Sequence, residues 1–558
     1  MRQFLLGLIF LLMACASAWT QTTAAANRAD PASTFGACTA GNSIIVANLC
    51  SGATLGIKVN AADAVLGSNP GEIWVYGGGA WGDENSRSTI SSNHIIRLFP
   101  GTYTYTGYFG MIVLSNDSSL ICEDPGNTIL QEPTHAFIAR TDMWVIVTAE
   151  GLAQTTPGSL IPHPNKNISV KGCRFTGARS DSSGAYGTIA MGNCHNCDVS
   201  GNVFTDTHAI GVYYGYPSTY KDDPLGLGVY AENSSLRNNL FINKHGMAMA
   251  LTNGQNISII DNKCIRPGAG LSFCVDIEPN TSTDRIVGVV IRNNFINLQG
   301  AGARGDGIAI SNNAGVPALR YRGILVEHNY IDGAGASTTD YASRLLRIGI
   351  GIRHGAMDVL VRNNTLRFPY GSGIYTNNAS RILIQGNSLF GGNNLIGFPI
   401  HLDASTSESV VSGNWLYCNL TQTDKCNTMI QNDGESSNVI SGNLRSGVPT
   451  IAAGTGAGTS PTVSITGDDI QGYITVTTGT TPSASATVAT ITYANNHGNA
   501  PISVPLTPAN ANAAALSGTG QVFVDVSASS GASFVVNVGG TQLAARTNYR
   551  WFYGPVKQ

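Results

Sequence analysis

Asp276 and Glu278 stand two residues apart in the segment V-D-I-E-P-N. An extended backbone turns positions i and i+2 to the same side, with Cα atoms ~6.5–7 Å apart. Two carboxyls held in this way can divide acid and base work, one protonated and one ionised, as cleavage of a glycosidic bond requires. Carboxyl separations of ~6.5–9.5 Å leave room for a water and imply inversion at the anomeric carbon. Further along, Arg353, Tyr375, His401 and Asp403 offer binding groups, and Arg353 suits a carboxylate or sulfate on an acidic sugar. Asp306 in G-D-G-I and His245 in K-H-G-M stand at strand entries, where loops line a cleft. Tyr213, with Tyr214 and Tyr216, reads as a stacking platform.

These residues are far apart in the chain, so a repeating frame must align them. A Gly/Asn-Asn-x-apolar pattern supplies one, at Asn202, Asn239, Asn262, Asn294, Asn329, Asn364, Asn387, Asn414 and Asn443. Successive Asn lie roughly 23 to 37 residues apart, one supersecondary unit each. Every unit holds two short strand signals and no helical pattern, which predicts an all-β solenoid of stacked parallel strands advancing ~4.8 Å per coil. The recurring Asn is expected to bond to its own copies above and below, satisfying polar groups that would otherwise be buried unpaired. Cys173 occupies the equivalent position one coil earlier, so the ladder is expected to begin just after it.

The strand after each Asn strand can then be aligned. With Ile189/Met191, Val275/Ile277, Ile308/Ile310, Ile350/Ile352 and Ile400/Leu402 turned inward, two outward columns result. One reads Ala190, Tyr213, Ala250, Asp276, Ala309, Gly351, Tyr375, His401, Gln431. The other reads Gly192, Gly215, Thr252, Glu278, Ser311, Arg353, Asn377, Asp403, Asp433. The two acids therefore stand on a floor of small residues, while His401 and Asp403 fall four coils away, ~19 Å at one strand spacing per coil. A slip of one residue would invert the assignment.

The segments V-N-A-A-D-A-V-L-G (59–67), L-F-P-G-T-Y (98–103) and G-N-T-I-L (126–130), with the Asn repeats, resemble the pectate-lyase-like superfamily of exported right-handed parallel β-helix proteins. The resemblance covers roughly residues 55–445, with the β-helix expected over 57–445. It implies a polysaccharide-active protein: a hydrolase, lyase, esterase or epimerase, or a non-enzymatic adhesin or tailspike. The hydrolase motifs of polygalacturonases (N-T-D, D-D, G-H-G, R-I-K) are not matched. The leading expectation is a glycoside hydrolase with no cofactor, using Asp276 and Glu278. The rivals are a lyase or epimerase on uronic-acid glycans, with Arg353 or His401 as proton acceptor and calcium as a cofactor if a lyase, and a carbohydrate-binding module.

The remaining sequence bounds these readings. Charged residues are 12 % of 558 and the net charge is -3, which gives no electrostatic case for nucleic acid. Arg2, the apolar run Phe4–Met13 and Ala16-Ser17-Ala18 read as a signal peptide over 1–18, implying a secreted, periplasmic or cell-surface protein, with acylation of Cys15 as the rival. No stretch is long enough to span a bilayer. Of ten later cysteines, Cys38–Cys50 and Cys418–Cys426 are the preferred disulfides, and Cys194-His195-Asn196-Cys197 reads as packed or oxidised rather than metal-binding. Residues 19–56 form a lead-in, and Val59–Leu66 a helix capping the solenoid. A linker is expected over 446–461. A small antiparallel β-sandwich over 462–558 resembles modules of phage-tail and exported proteins, offering a route to oligomerisation.

Overall fold

The computed structural model describes residues 38–554, apart from 108–109, 132–143, 149–164, 178–186, 193, 208–209, 216–229, 243–246, 266–269, 272, 280, 283, 298–302, 305, 334–347, 369–371, 392–397, 419–429, 442, 447–448, 468, 470 and 495–499. The signal segment, His245, Tyr216 and Cys426 lie outside the described residues, and with Cys426 the Cys418–Cys426 pairing.

Successive coils repeat a series of short strands, and six of them among the described residues add a fourth. Ser258–Ile260 leads to Asn262, then Lys263–Ile265, Val275–Ile277 and Ile286–Val287, before Val290–Arg292 opens the next coil. Stacking builds parallel sheets of 14, 13, 12 and 6 strands. This is the expected right-handed parallel β-helix, the hand that parallel crossovers adopt almost without exception.

The Asn ladder forms at all nine positions. The Oδ1 of Asn329 accepts from the amide and the Nδ2 of Asn294, and its own Nδ2 reaches Ile291 O and Asn364 Oδ1, each at 2.9–3.0 Å. The same set repeats from Asn202 to Asn443, and at the near end the amide of Cys173 donates to Asn202 Oδ1. The residue before each rung explains the Gly/Asn-Asn pattern. Asn238, Asp261, Asn293 and Asn363 have φ between 54° and 59°, and Gly201, Gly386 and Gly413 between 62° and 66°, the left-handed region those residue types tolerate. Buried Ile, Val and Leu fill the bore, with Phe175, Phe204 and Phe241 stacked on successive coils.

The cap helix spans Leu55–Leu66, four residues longer at its start than expected because Thr54 accepts from the amide of Ile57 as N-cap; Gly67 at φ 64° ends it. Its Val59, Ala62 and Leu66 are buried against the first coil. Part of the expected lead-in is structured: Ile44–Val46 pairs with Gly71–Val75, and Cys38–Cys50 is a disulfide. Disulfides also join Cys122–Cys173, Cys194–Cys197 and Cys264–Cys274.

The C-terminal module has two four-stranded antiparallel sheets around its own core of Ile474, Val476, Ile491, Phe534, Val536 and Trp551. The stretch expected as a linker contains Thr450–Ala453, which pairs with Thr487–Thr492. Its small residues hid the strand, since only Ile451 gives an apolar signal.

Candidate active site

The twelve-stranded sheet carries the two outward columns in the expected register. Cα pairing runs Ala190–Tyr213–Ala250–Asp276–Ala309–Gly351–Tyr375–His401–Gln431 without a slip, and Ser311–Arg353–Asn377 pair in the second column. The Ile, Val, Leu and Met residues assigned inward are fully buried. Alternation therefore forces Asp276 and Glu278 to the outer face. The Cys264–Cys274 disulfide closes the connection just before their strand, the cysteines standing ten positions apart in sequence, and so anchors its start.

Being on the outer side does not leave Asp276 exposed. It is 5 % accessible, and no hydrogen bond or ion pair reaches its carboxyl among the described residues. Burial pushes its pKa well above the ordinary carboxylate value, the charges of Glu278 and Asp306 push the same way, and Arg353 opposes them. Glu278 is only partly buried, and Asn313 Nδ2 donates to its Oε1. Behind them the buried Tyr321 hydroxyl donates to Ser311 O at 3.1 Å. The pair thus combines a buried carboxyl with a partly exposed, hydrogen-bonded one.

Asp306 joins this pair as a third acid. It is 1 % accessible, and burial pushes its pKa up to about 7 even though Arg353 pulls the other way. Arg353 Nη2 donates to its Oδ1 at 3.1 Å, while Oδ2 lies 2.9 Å from the same nitrogen with no N–H directed at it. Arg353, expected to be available to an acidic sugar, is therefore engaged inside the protein. Its guanidinium carbon also stands 5.7 Å from the Tyr375 ring centre.

Tyr375, His401 and Asp403 form a second group further along. The rings of Tyr375 and His401 meet edge to face at 5.2 Å, and His401 Nε2 lies 3.0 Å from Asp433 Oδ2. Burial of Asp403 is outweighed by the amide and hydroxyl of Ser405, so its pKa sits below the usual value. Asp433 belongs to this group. Its place in the second column made it legible, whereas Asn313 lies beyond the aligned strand and gave no signal.

Tyr213 and Tyr214 do not form a stacking platform. Tyr214 points into the bore and is fully buried, with its hydroxyl on Ser235 O at 3.2 Å. Tyr213 is 5 % accessible, packed with Val147, Ala190 and Ala250, and its hydroxyl lies 2.8 Å from Thr252 Oγ1. Small neighbours let the outer face pack over the ring. Among the described residues no group of three or more His, Cys, Asp or Glu is placed to hold a metal ion, and no helix is long and apolar enough to cross a membrane.

No family model matches the chain, and no curated protein matches it. Among solved structures it is similar to the A-module of mannuronan C-5 epimerase AlgE6 from Azotobacter vinelandii, at 13 % identity over 71 % of this chain and 96 % of that one, with a TM-score of 0.46. It is also similar to DFA-IIIase from Arthrobacter chlorophenolicus A6, at 9 % identity over 72 % and 98 % of the two chains, TM-score 0.44. A tailspike protein of E. coli bacteriophage HK620 follows at 11 % identity over 90 % of each chain, TM-score 0.42. These likenesses are of fold, and the parallel sheets fit a pectate-lyase-like β-helix.

Proposed function

We propose that the protein is a polysaccharide-active enzyme, a glycoside hydrolase in which Asp276 is the general acid and Glu278 the base. The observation that carries this reading is the contrast between the two carboxyls. Asp276 is buried, with no hydrogen bond to its carboxyl among the described residues, and held towards its protonated form, while Glu278 two residues on is partly exposed and accepts from Asn313. Environments that separate two neighbouring carboxyls in this way assign the acid and the base.

In the reaction, Asp276 gives its proton to the glycosidic oxygen as the C–O bond breaks. Glu278 takes a proton from the water that attacks the anomeric carbon, and the two carboxyls return to their starting states through solvent. Tyr375, His401 and Asp403 would hold the glycan further along the face. The four disulfides among the described residues fit a protein exported to an oxidising compartment.

The test is reducing-end release from a glycan panel, compared among the wild type, Asp276→Asn and Glu278→Gln. The account expects release by the wild type and its loss in both variants. Products carrying the absorbance of an unsaturated uronate would instead identify elimination.

A further inference from the structure

Four carboxylates and two basic side chains stand on the outward columns among the described residues: Asp276, Glu278, Asp403 and Asp433, with Arg353 and His401. Both basic groups are engaged within the protein. Arg353 Nη2 lies on Asp306, and His401 Nε2 lies 3.0 Å from Asp433. Among the described residues Asp276, Glu278 and Asp403 form no ion pair, although the charges of Arg353 and His401 act on Asp276 and Asp403.

We infer that the site takes an uncharged glycan, and that Asp306 sets this preference by withholding Arg353 from anionic substituents. The inference rests on the hydrolase reading above. A uronate or sulfate entering this face would meet the like charges of Glu278 and Asp403, which disfavours the wrong partner. Drawing Arg353 onto such a group would leave Asp306, 1 % accessible, without its counter-charge. The geometry also resists the exchange: the Asp306 carboxyl is seated in the space left by the missing side chain of Gly351. An uncharged sugar meets no such conflict. Its hydroxyls find acceptors on Glu278 and Asp403 and a donor on Asn377, and its apolar face can lie on Tyr375.

The test gives the full-length protein a matched panel of uncharged polysaccharides, polyuronates and sulfated glycans at low salt, read by reducing-end release and by affinity electrophoresis. Release and retardation are expected with at least one uncharged glycan and with none of the polyanions. Asp306→Asn is expected to free Arg353 and raise retardation by a polyuronate roughly tenfold or more, the worth of one charge-assisted hydrogen bond. Activity confined to polyanions would overturn the inference while leaving the carboxylate pair in place. Retardation by an uncharged glycan with no reducing ends from any substrate would overturn the hydrolase reading and keep the preference. Silence of both assays on every glycan would overturn both.

Discussion

The carboxyl of Asp306 occupies the space that a Cβ on Gly351 would need, although the two residues lie on different coils. Gly351 does not have a left-handed backbone, so its requirement is for room alone. That vacancy lets Arg353, two residues on, reach Asp306, and it brings a third acid up to Asp276.

Gly351→Ala is therefore expected to destabilise the fold by about 1–3 kcal/mol through overpacking. It should also displace the Arg353–Asp306 pair and lower turnover by roughly 10²-fold. Combined with Asp306→Ala, which restores the room, it should cost less stability than the two single changes summed. Urea unfolding and initial rates check this. Strict additivity would mean that the two residues do not share the space.

Asn329→Ala removes a rung from the middle of the ladder: the amide of Asn294 loses its side-chain acceptor, the carbonyl of Ile291 loses the Asn329 donor, and Asn294 Nδ2 keeps only Ile259 O and Arg292 O. A buried group stranded in this way costs about 1–3 kcal/mol, so a loss of about that size is expected. Asn443→Ala, at the partly exposed end of the ladder, should cost clearly less. Equal losses at both positions in urea unfolding would contradict the burial argument.

Stability should also carry a pH signature from Asp306. Its folded pKa of about 7 lies above the ordinary value near 4, so the folded protein binds this proton more tightly than the unfolded chain. The contribution is full below about pH 4 and is lost as pH rises through about 7, by at most about 1.4 kcal/mol per pH unit. Asp276 acts in the same direction. Asp306→Asn should flatten the pH dependence of urea unfolding between pH 5 and 8. An unchanged slope would remove Asp306 from that balance.

The Cys122–Cys173 disulfide joins successive coils across 51 residues, against three for Cys194–Cys197. Loop-closure entropy gives about 4 kcal/mol for the longer link and about 2 for the shorter. Replacing each pair by serines should reproduce that order in unfolding experiments, and the reverse order would contradict it.

Much of this was legible in the sequence because two periodicities reinforced each other. Asn recurring once per coil fixed the stacking, and Ile-x-Ile pairs fixed which side of each strand faced inward, so Asp276, Glu278, Arg353 and Asp403 fell on one face with no structure in hand. The burial of that face was not legible. Whether Asp276 is wet or dry depends on packing above the sheet, to which strand alternation is blind. The same blindness made Tyr213 look like an exposed platform, while Tyr214, on the inward parity of its own strand, was open to correction from sequence. The Arg353–Asp306 pair, 47 residues apart, depended on a glycine whose absent side chain gives no pattern.

The claim that matters most is that Asp276 delivers the proton. Turnover should fall as pH rises through its raised pKa, because the acid must be protonated to act. The most direct measurement is reducing-end release by Asp276→Asn, alongside circular dichroism and glycan retardation by the same variant. The account predicts a fall of roughly 10²-fold to 10⁴-fold in rate with fold and retardation unchanged. Turnover within a few-fold of the wild type would contradict it.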